Sequence, residues 1–354
     1  MTTSDVQRKL EREDPWTVSE DRFPHEGTLE EKLRFVLGYA ILAPSNYNSQ
    51  PWLFNISGGE IALYADRRRG LAVIDPDDRE MLISCGAALY NLRVAIGRFG
   101  FDPVVETFPD MTDPDLLAFA RFGQPSAPSD ETIHLFDAIR RRRTNRLEME
   151  DRVVAPDVIL RLQKAAEVEG AALLPVDDSS KRDALGELVA WAIVRQGGDK
   201  RYLREVTAWI HPNRSQSHDG IPGRQHSRNG LGSYAEPVIM RALDWGDDRA
   251  ERLRRAVSDA PALFVLCTTS DSAAAWLDAG QALERVLLEA TSAGLSASFL
   301  NAPVQLADLR PEVARAVGLE NGHPHIILRM GYGGRLRATP RRPLNEVIAS
   351  NRFT

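Results

Sequence analysis

The sequence predicts an α+β fold in which two pseudo-symmetric α/β units are fused so that one chain mimics a homodimer, with a long insertion in the second unit. Three observations carry this. Amphipathic helices alternate with short apolar strands along the 354 residues. A shift of 194 residues superposes Gly86 on Gly280, Ala88 on Ala282, Leu89 on Leu283, Gly100 on Gly294 and Pro109 on Pro303, so a helix, its glycine stop and the following proline keep their spacing. From Arg195 to Asp248 the periodicity lapses into a Gly- and Arg-rich stretch with scattered Tyr202, Trp209, Tyr234 and Trp245, and loops of that length are seldom inert. Two facing copies of one unit reproduce the two-fold axis of a homodimer and its two equivalent interfacial sites.

Residues 1–27 are polar and aperiodic, and read as an N-terminal arm that is disordered or laid over another surface. The first unit spans residues 28–130. Thr28 and Glu31 have capping-box spacing, and Leu29, Leu33, Leu37, Ala40 and Ile41 share one face of the helix that follows. Pro44 biases Ala43 out of the helical region. Trp52 to Ile56 and Glu60 to Tyr64 flank Ser57-Gly58-Gly59 as a hairpin. A long helix from Arg79 to Phe99 carries Leu82, Cys85, Leu89, Leu92 and Ile96 as its apolar stripe and stops at Gly100. Residues 101–130 are Pro-rich and weakly patterned, and lead to a short helix bearing His134, Phe136 and Ile139. The second unit, 131–354, repeats the grammar: helices near 156–169, 180–194 and 273–293, strands near 171–176, 262–267, 295–300 and 325–330, and the insertion at 195–248.

With 43% hydrophobic and 27% charged residues, the chain suits one large or two ordinary domains with a sizeable core. Its net charge of −6 argues against a general polyanion binder, so no nucleic-acid partner is expected despite the runs Arg67 to Arg69 and Arg140 to Arg143. Only Cys85 and Cys267 are present, which excludes a disulfide framework and a cysteine-rich metal site. His211, His218 and His226 match no recurrent zinc spacing, so no metal is expected. Residues 1–24 lack a signal-peptide core and no apolar run approaches the roughly 20 residues of a bilayer span, so a cytoplasmic protein without membrane contact is expected.

The most informative stretch is Ala43 to Trp52, A-P-S-N-Y-N-S-Q-P-W, at the seam between the first helix and the first strand. Ser45, Asn46, Asn48 and Gln50 supply both donors and acceptors, which suits a flat heterocycle better than a bare anion, although Asn and Ser also suit an ordinary solvated turn. The order A-P-S-x-x-N-x-Q-P-W resembles the flavin-contacting loop of the FMN-dependent nitroreductase superfamily. More closely, the chain is similar to the Acg-type branch, in which two nitroreductase-like halves are fused, and the likeness runs from Leu29 to Ile348.

That resemblance implies a nitroreductase-like fold and one FMN per chain. Arg142, Thr144 and Arg146 match its R-x-S-x-R phosphate segment, with Thr in place of Ser, and Arg341 and Arg342 in T-P-R-R-P-L match its C-terminal arginines. It places Pro44, Ser45, Asn46, Asn48 and Gln50 at the ring, Ser298 and Phe299 beside the hydride-carrying nitrogen, and the insertion as a lid. No catalytic side chain is expected, because the flavin itself accepts and donates hydride. The first unit has no arginine segment ahead of its Leu29 helix, and the second offers E-V-E-G-A-A-L-L at 167–174 where its A-P-S loop should lie. One site should therefore be complete and the other empty.

The function implied is an FMN-binding oxidoreductase passing hydride from NAD(P)H to a small aromatic or conjugated acceptor. The alternative is a flavin-sequestering storage protein whose lid blocks turnover. No G-x-G-x-x-G follows a strand, so a nicotinamide would stack transiently on the flavin as reductant. The expected assembly is a pseudo-dimeric monomer, with further oligomerisation left open.

Overall fold

The computed structural model describes residues 13–212, 215–222, 247–334 and 336–349. His226, Tyr234, Glu236 and Trp245 of the insertion lie outside the described residues.

In the first unit, α1 (Leu29–Ala40) opens with a complete capping box: the Glu31 N–H donates to the Thr28 hydroxyl at 3.3 Å, and the Thr28 N–H donates to the Glu31 carboxylate at 2.7 Å. Strands β1 (Trp52–Ser57) and β2 (Glu60–Ala65) pair through a two-residue turn, in which Gly58 and Gly59 take φ of 63° and 86°. Helix α2 (Arg79–Arg98) follows. Residues 101–125, weakly patterned in sequence, form two further strands, β3 (Phe101–Thr107) and β4 (Leu116–Pro125), before α3 (Asp130–Ile139). β3 is the sheet's outer strand, and its Asp102, Pro103, Val104 and Glu106 are exposed, so no apolar alternation marks it.

The second unit comprises α4 (Pro156–Val168), β5 (Ala172–Pro175), α5 (Ser179–Gly198), α6 (Lys200–Ala208), α7 (Asp247–Ser258), β6 (Ala262–Thr268), α8 (Ala273–Ser292), β7 (Ser296–Phe299), two short helices at Ala302–Gln305 and Arg310–Val317, and β8 (His323–Gly331). Among the described residues its sheet runs β5-β6-β8-β7, and that of the first unit β1-β2-β4-β3, antiparallel throughout. Element for element this is one topology used twice. Where the first unit has the Gly58-Gly59 turn, the second inserts everything between Pro175 and Ala262. The insertion thus begins earlier than Arg195, which lies within α5, and it returns through α7. Insertion at a hairpin tip leaves the ladder beneath it intact.

The units meet along α2 and α8, and the contact obeys the sequence repeat. A Cβ on Gly86 would lie 2.1 Å from the Leu277 carbonyl oxygen, and a Cβ on Gly280 would lie 2.1 Å from the Ile83 carbonyl oxygen. Gly86 matches Gly280 and Ile83 matches Leu277 under the same 194-residue shift, so the two contacts are one contact related by a pseudo-dyad. Absence of side chains here lets the backbones touch.

Both terminal segments pack on the first unit. Ile348 bridges Phe54 and the Ala349 N–H donates to the Phe54 carbonyl at 2.8 Å, so the chain's last described residues border the first unit's edge strand. In the arm, residues 13–27 are laid over the first unit. Phe23 stacks on Phe99 at 4.3 Å and meets Phe35 edge-on, and Val18 is buried against Gly38.

Candidate functional site

The A-P-S loop is held in a strained backbone. Tyr47, Asn48 and Gln50 all take left-handed conformations, with φ of 48°, 55° and 51°, a region that residues with a Cβ enter at a cost. Side chains pin it. The Gln50 N–H donates to the Ser45 hydroxyl at 2.9 Å, and the Asn48 amide donates to the carbonyls of Gly220 at 2.9 Å and Pro340 at 3.1 Å. Arg341 donates to the Asn48 carboxamide oxygen at 2.8 Å. The Asn46 amide donates to the Glu80 carboxylate. The amides expected at a ligand's edge are thus engaged with protein, and their hydrogen bonds fix the loop's shape.

The loop borders a cavity of about 200 Å³, far more than the ~10–15 Å³ one water needs, so it is no packing defect. Of the residues singled out in the sequence, Pro44, Ser45, Asn46, Asn48, Arg142, Thr144, Arg146, Phe299 and Arg341 line it. Gln50, Ser298 and Arg342 do not. Gln50 accepts from the Arg342 N–H at 2.8 Å and donates to the His218 carbonyl at 2.8 Å, and Arg342 donates to the Gln50 carbonyl at 3.0 Å, so the pair braces the loop from behind. Ser298 is buried within β7, opposite Arg329. The Arg142–Arg146 segment is positioned as a short extra strand: Thr144 bridges Ala297, and the Asn145 N–H donates to the Ala297 carbonyl at 2.8 Å.

Sequence reasoning missed several walls. Arg143 and Arg249, Trp16 of the arm, Glu80 of α2, Tyr202 of α6 and Gln305 also line the cavity. Its apolar walls include Ile83, Ala87, Val189, Ile193, Leu253, Leu283 and Ile326. The described walls therefore carry five guanidiniums against a single carboxylate. Burial pushes the pKa of Arg142 down, and burial with the neighbouring charges of Arg142 and Arg143 pushes that of Arg341 down further. Arg143 is held at about 10, mainly by burial. Among the described residues the buried Nε atoms of Arg142 and Arg341 have no hydrogen-bond partner, that of Arg142 lying in ion-pair range of Glu284.

Behind this cluster sits Glu284, fully buried on α8, with Arg142 at 3.6 Å. Burial lifts its pKa from 4.5 to about 7, against the pull of Arg142. The folded form then holds the proton more tightly than the unfolded chain, so the carboxyl's contribution to stability is present below about pH 4.5 and is lost as pH rises towards 7. The variant Glu284→Gln, neutral at every pH, should gain stability relative to the parent as pH rises from about 5 to about 8, read from urea midpoints. A difference independent of pH would show that Glu284 is already ionised at the lower end.

The described part of the insertion is tied to the first unit and to the C-terminal segment. Tyr202 of α6 meets Tyr47 hydroxyl to hydroxyl at 3.1 Å, the Gly220 N–H donates to the Asn48 carbonyl at 3.2 Å, and Glu205 accepts from the Val73 and Ile74 N–H groups. Asp219 joins Arg69 and His211, and His218 joins Glu346.

The pseudo-equivalent cleft is built differently. Glu169, in the segment that replaces the A-P-S loop, binds Arg93 and Arg285, and Arg93 donates to Gln281 at 2.9 Å. Gln281 in turn donates to Asp278 at 3.3 Å. Asp278 and Gln281 stand 194 residues after Ser84 and Ala87, which line the cavity on the other side. The two positions that bound space in one cleft are tied into an ion-pair network in the other.

A duplicated α+β fold with one cationic, partly apolar interfacial cleft defines a class, and sequence comparison gives the family. The family model described as "Nitroreductase family" matches residues 139–332. The chain is 32% identical over 329 residues to "Putative NAD(P)H nitroreductase Rv3131" of Mycobacterium tuberculosis (strain ATCC 25618 / H37Rv), covering 90% of this chain and 91% of that protein. It is also 32% identical to "Putative NAD(P)H nitroreductase acg" of the same strain, over 87% of this chain and 92% of that protein. The chain belongs to the nitroreductase family, a family of oxidoreductases, and to its Acg-like branch. Among solved structures it is similar to the FMN and NADPH-dependent nitroreductase NfnB from sphigopyxis sp. strain HMH, with 21% identity over 62% of this chain and 99% of that one and a TM-score of 0.40. Among the described residues no helix is long and apolar enough to cross a membrane.

Proposed function

We propose that the chain binds one FMN in the cavity and acts as an NAD(P)H oxidoreductase, delivering hydride to a small aromatic or conjugated acceptor. The observation that carries this reading is the charge imbalance of the cavity walls. Among the described walls five guanidiniums stand against one carboxylate, and a phosphate of nearly two negative charges suits such a wall. The buried Arg341 Nε, which has no hydrogen-bond partner among the described residues, fits that demand, and the apolar walls fit a flat ring system.

Arg142, Arg146 and Arg341 would hold the phosphate, with Thr144 adding a hydroxyl, while Pro44, Ser45, Asn46 and Phe299 bound the remainder. The bound flavin supplies hydride transfer. The protein's own share is position, exclusion of water by the lid, and a proton reserve at Glu80, whose pKa burial raises to about 7.

The strapped lid favours a second reading, storage of the flavin without turnover. An absorbance spectrum of the purified protein should show one flavin per chain. Bleaching by NADH or NADPH under anaerobic conditions selects the enzyme; bleaching by dithionite alone selects storage. A colourless protein that takes up no FMN on incubation overturns both.

A further inference from the structure

The arm reaches the cavity through Trp16, and nothing in the nitroreductase-like pattern assigns it a role there. Asp14 caps a short 3₁₀ turn, Pro15–Thr17, by accepting from the Trp16 N–H at 3.1 Å, and the Trp16 indole N–H donates to the Thr339 carbonyl at 2.7 Å. The ring is thereby fixed beside two cations. The Arg143 guanidinium lies over it at 4.2 Å and that of Arg341 at 5.1 Å. Val18 and Phe23, buried on the first unit, anchor the segment just beyond.

Trp16 also separates two spaces. A second cavity, about 460 Å³, opens between the arm, the lid residues His211 and Ser215 to Asp219, and the Ala338–Arg341 segment. Trp16, Thr339 and Arg341 line both cavities and so form the partition between them. Of these three, Trp16 alone belongs to the N-terminal arm.

We infer that Trp16 is a clasp on the phosphate end of the cofactor site: it covers Arg143 and Arg341, keeps water from them, and must swing aside for the cofactor to enter or leave. The inference rests on the phosphate reading above and extends it to the arm. Cation–π contact holds the two guanidiniums against the indole, where they form one rigid wall for an anion. Shielding that wall from water strengthens its hold on a phosphate.

The test measures FMN and riboflavin binding to the apo forms of the parent, Trp16→Ala and Trp16→Phe, with dissociation followed by flavin fluorescence. Trp16→Ala should weaken FMN about tenfold, chiefly through faster dissociation, and weaken riboflavin, which has no phosphate, far less. Trp16→Phe should recover part of the loss. Equal losses for both flavins would mean that the arm only supports the fold, and unchanged FMN binding would remove the clasp; either result overturns the inference while leaving FMN binding by the parent intact. A parent that binds no FMN would instead overturn the reading on which the clasp rests.

Discussion

Gly86→Ala and Gly280→Ala should each destabilise the protein by about 3 kcal/mol or more, a large effect for one added methyl group. The new Cβ of residue 86 would lie 2.1 Å from the Leu277 carbonyl oxygen, 2.9 Å from the Gly280 Cα and 3.1 Å from the Gln281 nitrogen. All three are backbone atoms of a helix, so no side chain can rotate away. The helices α2 and α8 must move apart along a seam that is buried on both sides. Gly97, on α2 but outside the seam, provides the control. A Cβ there meets only the Thr132 side chain, at 3.2 Å, and alanine's better helix propensity, worth roughly 1 kcal/mol, offsets the contact. The double variant Gly86→Ala/Gly280→Ala should cost clearly less than the sum of the singles, because once the first methyl separates the helices the second finds room. Urea midpoints of the four proteins decide it. Parent-like stability in either single variant would contradict the backbone contact. The same separation should also weaken flavin binding, since α2 contributes Glu80, Ile83, Ser84 and Ala87 to the cavity and α8 contributes Leu283.

The glycine pair shows what the sequence made legible. A repeat of a few identities marked the helices, and one of them, Gly86 on Gly280, lies at the point where symmetry demands that no side chain intervene. The strands β1, β2, β6 and β8 were readable because each is buried and apolar. β3 was not, because its exposed residues leave no alternation to see. Helix α7 was missed for a related reason: it is strongly charged, and pairs such as Glu251 with Arg254 and Arg255 face water instead of a core.

At the site, composition indicated which loops matter but not which way each side chain turns. Arg341 and Arg342 are neighbours with opposite fates, one in the cavity wall and one bracing Gln50, as adjacent residues on an extended segment face opposite sides. Glu80 is an acid in the first turn of a helix, a favourable place for one, and nothing in the sequence sets it apart. Only the packed structure puts it beside Asn46 and Gln305. Left-handed Tyr47 and Gln50 leave no trace in the sequence, because their strain is imposed by tertiary hydrogen bonds. Trp16 did leave one: it is an aromatic residue in a polar, aperiodic arm, and such a residue is there to bury itself against something.

Arg142→Ala and Arg341→Ala should each weaken FMN binding by two orders of magnitude or more, in line with the ~2–5 kcal/mol seen when one partner of a buried charge pair is truncated. They should differ in how they treat riboflavin. Arg142 contacts Glu284 at 3.6 Å and the Leu42 carbonyl at 3.4 Å, and is not hydrogen-bonded to the A-P-S loop's side chains, so its loss should fall mainly on the phosphate and leave riboflavin binding largely unchanged. Arg341 does two jobs. It donates to the Asn48 carboxamide oxygen at 2.8 Å and to the Thr339 hydroxyl at 2.6 Å, so its removal leaves a buried acceptor unmet and loosens the left-handed turn at Asn48. Arg341→Ala should therefore weaken riboflavin as well as FMN. Arg142→Lys keeps the charge but loses the planar fork that pairs with two phosphate oxygens, and should recover only part of the affinity. Arg342→Ala serves as the contrast: it frees the carbonyl of Gln50 and should lower the urea midpoint, with FMN and riboflavin affected alike. If instead Arg142→Ala binds FMN as the parent does, the cationic wall is not a phosphate site, and its guanidiniums serve only to hold the two units together through Glu284 and Leu42.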